Sequence, residues 1–259
     1  MRVIDTISEI LKKEGINYLS CFPTTSIIEA AAEIGIRPVI CRQERVGVGI
    51  ADGYSRITKG TPPGVFAMQY GPGAENAYPG VATAFADASP ILLLPLGHPR
   101  SRDRVFPHFS SVESFSSVTK YVEQINEVNT LGDTMRRAFQ RLKNGRPGPV
   151  MVEIPADIAE ADSSELIHQN YIPSSRLRSG ADENDVSKAA ELLLAANFPV
   201  IYAGQGVIYA DACDELVELA ELTKIAVTTT MAGKGAIDER HDLALGSSSV
   251  VMNGAVLNY

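Results

Sequence analysis

Residues 64–96 read GVFAMQYGPGAENAYPGVATAFADASPILLLPL. The run ILLLPL (91–96) is short and wholly apolar, the pattern of a strand buried on both faces of a parallel sheet. Gly64–Met68 predicts another strand, and the small residues from Ala74 to about Ala88 predict a helix between the two, entered through Gly71-Pro72-Gly73. Two buried strands joined by a helix form a crossover unit, which closes with right-handed parallel pairing. The same alternation continues in both directions. Upstream, Val3, Ile4, Ile7, Ile10 and Leu11 recur at helical spacing before Gly15, followed by a strand over INYLSCF, a helix near 26–34, a strand over Pro38–Cys41 and a helix from Gln43 to about Thr58. Downstream, strands are expected at 117–122 and 149–154 around a helix of roughly 126–143. The fold class is therefore α/β, a three-layer doubly wound parallel sheet.

After Glu153-Ile154-Pro155 the pattern lapses into SSELIHQNYIPSSRLRSGADEND, polar and without period, which reads as a linker. An α/β unit restarts beyond it, with a helix at 184–196, a strand Pro199–Ala203, a helix at 211–222 and a strand Ile225–Thr228. Two clear strands are few for an independent parallel sheet, so this second, Rossmann-like unit is expected to be incomplete. The expected organisation is a first domain over 1–165, a linker over 166–183 and a truncated domain over 184–259.

Bulk properties narrow the function classes. An apolar fraction of 45% with 21% charged residues is that of a chain with a packed core. A formal net charge of −8, without a Lys/Arg run, argues against nucleic acid as partner. The opening MRVIDTISEILKKEG has polar residues throughout and no signal-peptide core, and no stretch is long and apolar enough to span a bilayer, so no membrane partner and a cytoplasmic location are expected. Cys21, Cys41 and Cys213 lack metal or redox spacing and read as reduced core residues.

In open parallel sheets ligands bind outside the carboxyl ends of strands. Two strand-to-helix junctions stand out. In PVICRQERVGVGIADGYSR, Glu44 begins a helix directly after a strand, among Val39, Ile40, Val46, Val48, Gly47 and Gly49, an apolar setting with room for a flat ligand. At the second, Gly71-Pro72-Gly73 lets backbone and helix N–H groups approach a ligand. Taken singly, a first-turn Glu is also an ordinary macrodipole partner and Gly-Pro-Gly an ordinary turn.

Together the motifs resemble the pyrimidine-binding domain of thiamine diphosphate enzymes, the family of acetolactate synthase, benzoylformate decarboxylase and oxalyl-CoA decarboxylase. Arg42-Gln43-Glu44 followed by Ile50-Ala51-Asp52-Gly53-Tyr54-Ser55-Arg56 resembles the family's glutamate helix, Gly71 to Ala77 its Gly-Pro-Gly-x-x-Asn loop, Ala84 to Ile91 the passage that follows, and Gly148 to Asp157 the closing strand. Pro199–Gly206 and Thr228–Gly246 resemble the start of the family's central domain.

The resemblance implies that Glu44 hydrogen-bonds the aminopyrimidine of thiamine diphosphate and activates it toward a 2-oxo acid, which is decarboxylated and then released or joined to a second carbonyl. It implies cofactor contacts from Gly71, Pro72, Gly73 and Asn76, the last capping or pinning its loop. Substrate contacts are expected from Gln69, from Thr24 and Thr25 in Phe22–Ser26, where the family's glycines are missing, and from His108. No metal ligands are expected in the chain: the magnesium and diphosphate are held by a Gly-Asp-Gly motif that is absent here, so they belong to another domain. FAD is not carried over, and Gly204-Gln205-Gly206 is a weak dinucleotide fingerprint with Tyr209 at its third glycine position. The family implies a homodimer or homotetramer with the active site between subunits, and an isolated chain without turnover. The competing readings are a non-catalytic pyrimidine-type scaffold or subunit-interaction domain and, more remotely, a nicotinamide-dependent oxidoreductase.

Overall fold

The computed structural model describes residues 1–248 and Gly254. The chain divides into two compact units, Met1–Leu177 and Arg178–Tyr259. The first runs α1 (Val3–Lys13), β1 (Tyr18–Cys21), α2 (Ile27–Glu33), β2 (Arg37–Ile40), α3 (Glu44–Ile57), β3 (Gly64–Met68), α4 (Pro72–Ala86) and β4 (Ile91–Gly97). It continues with α5 (Ser111–Phe115), β5 (Tyr121–Gln124), α6 (Leu131–Lys143), β6 (Val150–Pro155), α7 (Ala156–Ala159) and α8 (Glu165–Gln169).

The six strands form one parallel sheet in the order β2-β1-β3-β4-β6-β5. Their side chains alternate between two cores, as the pleat requires. Val65, Ala67, Leu92, Leu94, Val150, Val152 and Ile154 join a core with α1, α2 and α6, whereas Phe66, Met68, Ile91, Leu93 and Met151 join another with α3, α4 and α5. This is the three-layer doubly wound arrangement expected from the sequence.

Small residues draw the second helical layer down onto the sheet. A Cβ on Gly47 would lie 2.2 Å from the Phe66 ring, and one on Gly64 2.0 Å from the Ala51 carbonyl oxygen. Ser20 Oγ, on the buried strand β1, donates to the Gly47 carbonyl at 2.7 Å, which ties α3 to the sheet. Helix α3 therefore has its N-terminus fixed beside the ends of β1 and β3, where Glu44 sits.

Several expected boundaries shift. The strand placed at 117–122 lies at Tyr121–Gln124, because Phe115 to Lys120 first turn back through Val118 N–H to the Phe115 carbonyl. Within 165–177, helix α8 and Tyr171 pack on the first unit: Tyr171 is 2% exposed, its hydroxyl donates to Glu14, and Lys143 pairs with the other Glu14 oxygen.

The second unit contains α9 (Glu183–Ala195), β7 (Val200–Ala203), α10 (Gln205–Ala210), α11 (Cys213–Thr223), β8 (Ala226–Thr229) and β9 (Ala244–Ser247). Among the described residues its three strands pair in parallel in the order β7-β8-β9. Two strands were anticipated. The third, ALGS, carries too little apolar sequence to announce itself and pairs with an irregularity between Val227 and Thr229. The short α10 was likewise not anticipated. The end of the expected 184–259 domain, residues 249–253 and 255–259, lies outside the described residues. Among the described residues no helix is long and apolar enough to cross a membrane.

Candidate active site

Glu44 opens α3, whose preceding residue Gln43 is extended and leaves the side chain turned into the molecule, 6% exposed. Across from it the chain leaves β3 through Gln69 and Tyr70 and turns at Gly71, which has φ +55 and so adopts a conformation that favours glycine. Pro72 then begins α4, where its fixed φ suits the first helical position and its missing N–H costs nothing.

Gly73 faces Glu44. A Cβ there would sit 3.1 Å from Glu44 Oε1 and 2.8 Å from Gln69 Cβ, so only glycine leaves the carboxylate accessible. One turn later Asn76 Nδ2 donates to Glu44 Oε2 at 2.7 Å. Asn76 lies in the second turn of α4, on the face toward α3, and this bond ties it to Glu44. One Glu44 oxygen is thus held by an amide, and the other, without a hydrogen bond among the described residues, borders the space left by Gly73.

The expected apolar surround is only partly realised. Val48 is buried, but Ile40 is 65% and Val46 51% exposed, since β2 is an edge strand and Val46 lies on the outer side of α3. Cys41 supplies a wall instead. Burial, together with the nearby Glu44 carboxylate, pushes the Cys41 thiol up, while its Sγ donates to the Cys21 carbonyl at 3.2 Å.

The other expected contacts fall elsewhere. Gln69 is half-buried beside Gly73. Thr24 and Thr25 line a separate open cavity of about 400 Å³ before α2; Thr24 is exposed, and the buried Thr25 hydroxyl has no hydrogen bond among the described residues. His108 belongs to a third place, in the loop after β4, with its ring 5.5 Å from that of His98, which lies 4.5 Å from Tyr70. That loop is anchored by Arg100, which binds Asp157 through its backbone N–H at 2.9 Å and its Nε at 2.8 Å, and the Asn126 carbonyl through Nη1 at 2.7 Å. Burial alone would raise the Asp157 carboxyl, but the Arg100 bonds outweigh it and leave it below its ordinary value.

His98, Gln124 and Glu153, which line this region, were not singled out from the sequence. His98 and Gln124 stand at or just past the carboxyl end of a strand, so the rule that located Glu44 could have found them, whereas Glu153 lies inside β6.

A parallel sheet thus carries a buried glutamate at one strand-to-helix junction, facing a glycine-lined gap at the next, an arrangement of the class that takes a flat cofactor at the carboxyl ends of its strands. Two family models agree: residues 1–128 match the N-terminal TPP binding domain of thiamine pyrophosphate enzymes and residues 186–258 match their central domain. The chain belongs to the thiamine pyrophosphate enzyme family. It is 32% identical over 258 residues to a probable acetolactate synthase large subunit of Methanocaldococcus jannaschii, covering 95% of this chain and 43% of that protein. It is 32% identical over 252 residues to the glyoxylate carboligase of Escherichia coli O157:H7, covering 95% of this chain and 42% of the relative. The acetolactate synthase of Arthrospira platensis is 31% identical over 253 residues, 91% of this chain and 42% of its own. The chain spans a little over two-fifths of the curated relatives it matches.

Proposed function

We propose that the protein carrying this chain uses thiamine diphosphate to decarboxylate 2-oxo acids and to join the acyl unit to a second carbonyl, as an acetolactate-synthase-like enzyme. The observation that carries this reading is the division of labour on Glu44, with Oε2 held by Asn76 and Oε1 bordering the gap that a side chain on Gly73 would fill. That gap fits the flat pyrimidine end of the cofactor. Thiamine diphosphate, when bound, supplies an electron sink for loss of carbon dioxide.

The chain's own residues hold and orient. Glu44 offers a carboxylate oxygen to a ring nitrogen in a site shielded from bulk water, where the hydrogen bond is stronger than in solution. Asn76 prevents that carboxylate from turning away, and Gly71 and Gly73 keep the backbone close. Gln69, leaving the strand beside Gly73, is the side chain best placed to meet the substrate. Magnesium ligands would come from outside this chain, and nothing here supports FAD. The exposed Ile40 and Val46 flanking Glu44 are an apolar rim suited to cover by a second subunit, in keeping with a homodimer or homotetramer. A cytoplasmic location accompanies this reading.

The test is titration calorimetry of thiamine diphosphate with magnesium into the full-length protein and its Glu44→Gln variant. Saturable binding, with 2-oxo-acid turnover that collapses in the variant, is the expected result; absence of binding in the intact protein refutes the proposal.

A further inference from the structure

The loop after β4, the start of α5 and the ends of β5 and β6 line an open cavity of about 470 Å³, of a size that holds small molecules. It lies where the strand order reverses a second time, β6 entering between β4 and β5, and such reversals open a crevice at the carboxyl edge of the sheet.

Two features of its walls point to a ligand. Glu153 enters from β6 and is 6% exposed, yet it makes no ion pair among the described residues; its hydrogen bond comes from the Gln124 amide. Holding a carboxylate away from water without a cation is costly, and folds retain such groups where a ligand uses them. Room for it is made by Gly97, where a Cβ would lie 2.9 Å from Glu153 Cγ. The second feature is His108, whose Nδ1 is buried without a hydrogen-bond partner among the described residues while Nε2 faces Asp103 at 3.5 Å.

The charge of the cavity then selects the ligand. Asp103, Glu113 and Glu153 line it against Arg104, which is 82% exposed and approaches Asp103 and Glu113 only to 3.9 Å. Glu123 has its own partner in Arg137. A second carboxylate entering here meets negative charge, whereas a hydroxyl can donate to Glu153 and has the unpartnered Nδ1 of His108 as a further polar neighbour. Tyr70, which follows Gln69, has its ring 4.5 Å from that of His98, and His98 lies 5.5 Å from His108, so a row of rings runs from the end of β3 toward this cavity.

We propose that this cavity receives the acyl chain of a 2-oxo acid that bears a hydroxyl and no second carboxylate, with Glu153 and His108 as the discriminating residues. The inference rests on the functional reading above. Two measurements on the full-length protein test it: kcat/KM of the holoprotein for hydroxypyruvate, pyruvate and oxaloacetate, and equilibrium dialysis of the same three acids with cofactor-free protein.

Hydroxypyruvate should exceed pyruvate by roughly tenfold, the effect of one hydrogen bond to a charged group, with oxaloacetate poorest. Glu153→Gln and His108→Leu should each collapse the hydroxypyruvate-to-pyruvate ratio. A flat series, a preference for oxaloacetate, or a ratio unchanged in both variants overturns the inference. Selective binding without any turnover overturns the functional proposal instead, turnover that depends on Glu44 with flat selectivity overturns only this one, and loss of both turnover and selective binding overturns both.

Discussion

Gly73→Ala puts the reading of the Glu44 pocket to a quantitative trial. The added methyl would stand 2.8 Å from Gln69 Cβ, closer than side chains tolerate, and 3.1 Å from Glu44 Oε1. Two effects on stability oppose each other. Alanine in a helix is favoured over glycine by up to about 1 kcal/mol, while crowding a packed site costs about 1–3 kcal/mol. Crowding wins by a small margin, so the variant should fold with a loss of no more than about 2 kcal/mol. Its effect on the site should be larger, because the methyl occupies the gap in front of the free oxygen. Thiamine diphosphate affinity should fall by at least about tenfold, the equivalent of 1.4 kcal/mol.

The matched control is Gly53→Ala in α3, where a Cβ meets nothing within 4 Å. It should gain about 0.5–1 kcal/mol of stability and leave cofactor affinity unaltered. Thermal unfolding and titration calorimetry on the full-length proteins supply both quantities. Undiminished cofactor affinity in Gly73→Ala would refute the assignment of that gap to the pyrimidine.

Three further outcomes follow from the packing and charges. Lys143→Met leaves Glu14, whose side chain is fully buried, without its cation, and should cost on the order of 3–5 kcal/mol in denaturant unfolding, whereas Tyr171→Phe should cost closer to about 1–2 kcal/mol; equal losses would contradict this ranking. Asp157 and Glu123 both titrate below their ordinary values, burial being outweighed by hydrogen bonds from Arg100 and, for Glu123, from Arg137, Tyr121 and Thr134. The folded chain therefore binds fewer protons than the unfolded one, and their contribution, full above the ordinary carboxylate range near pH 4, should be lost as pH falls through the lowered values; an acid unfolding midpoint unmoved by Arg137→Met would count against it. Burial pushes the Cys21 thiol up to about 11 and raises that of Cys41, so alkylation of native protein at pH 8 should modify the half-buried Cys213 first, and mass spectrometry finding Cys21 labelled at a comparable rate would overturn that order.

The centre of the first sheet was legible because β3, β4 and β6 are buried on both faces. Runs such as ILLLPL leave one solution for a parallel strand, and helices of period 3.6 between them leave one class of connection. Where burial is weaker the signal failed: β9 has all four residues half-buried, and its sequence ALGS carries no strand pattern. Glu153 was hidden for a different reason, since a single carboxylate inside the apolar strand VMVEIP carries no sign that it is buried or that Gly97 leaves room for it.

By itself the sequence determined the fold class, the place of Glu44 at a strand-to-helix junction and the glycines facing it, because these depend on local periodicity and chain reversal. Only the tertiary structure decided which polar groups meet. Asn76 reaches Glu44 across 32 positions and Gln124 reaches Glu153 across 29, distances along the chain that no local pattern records. Such pairs are fixed by strand order and helix packing, since a hydrogen bond requires atoms brought within about 3 Å by elements whose contact is non-local.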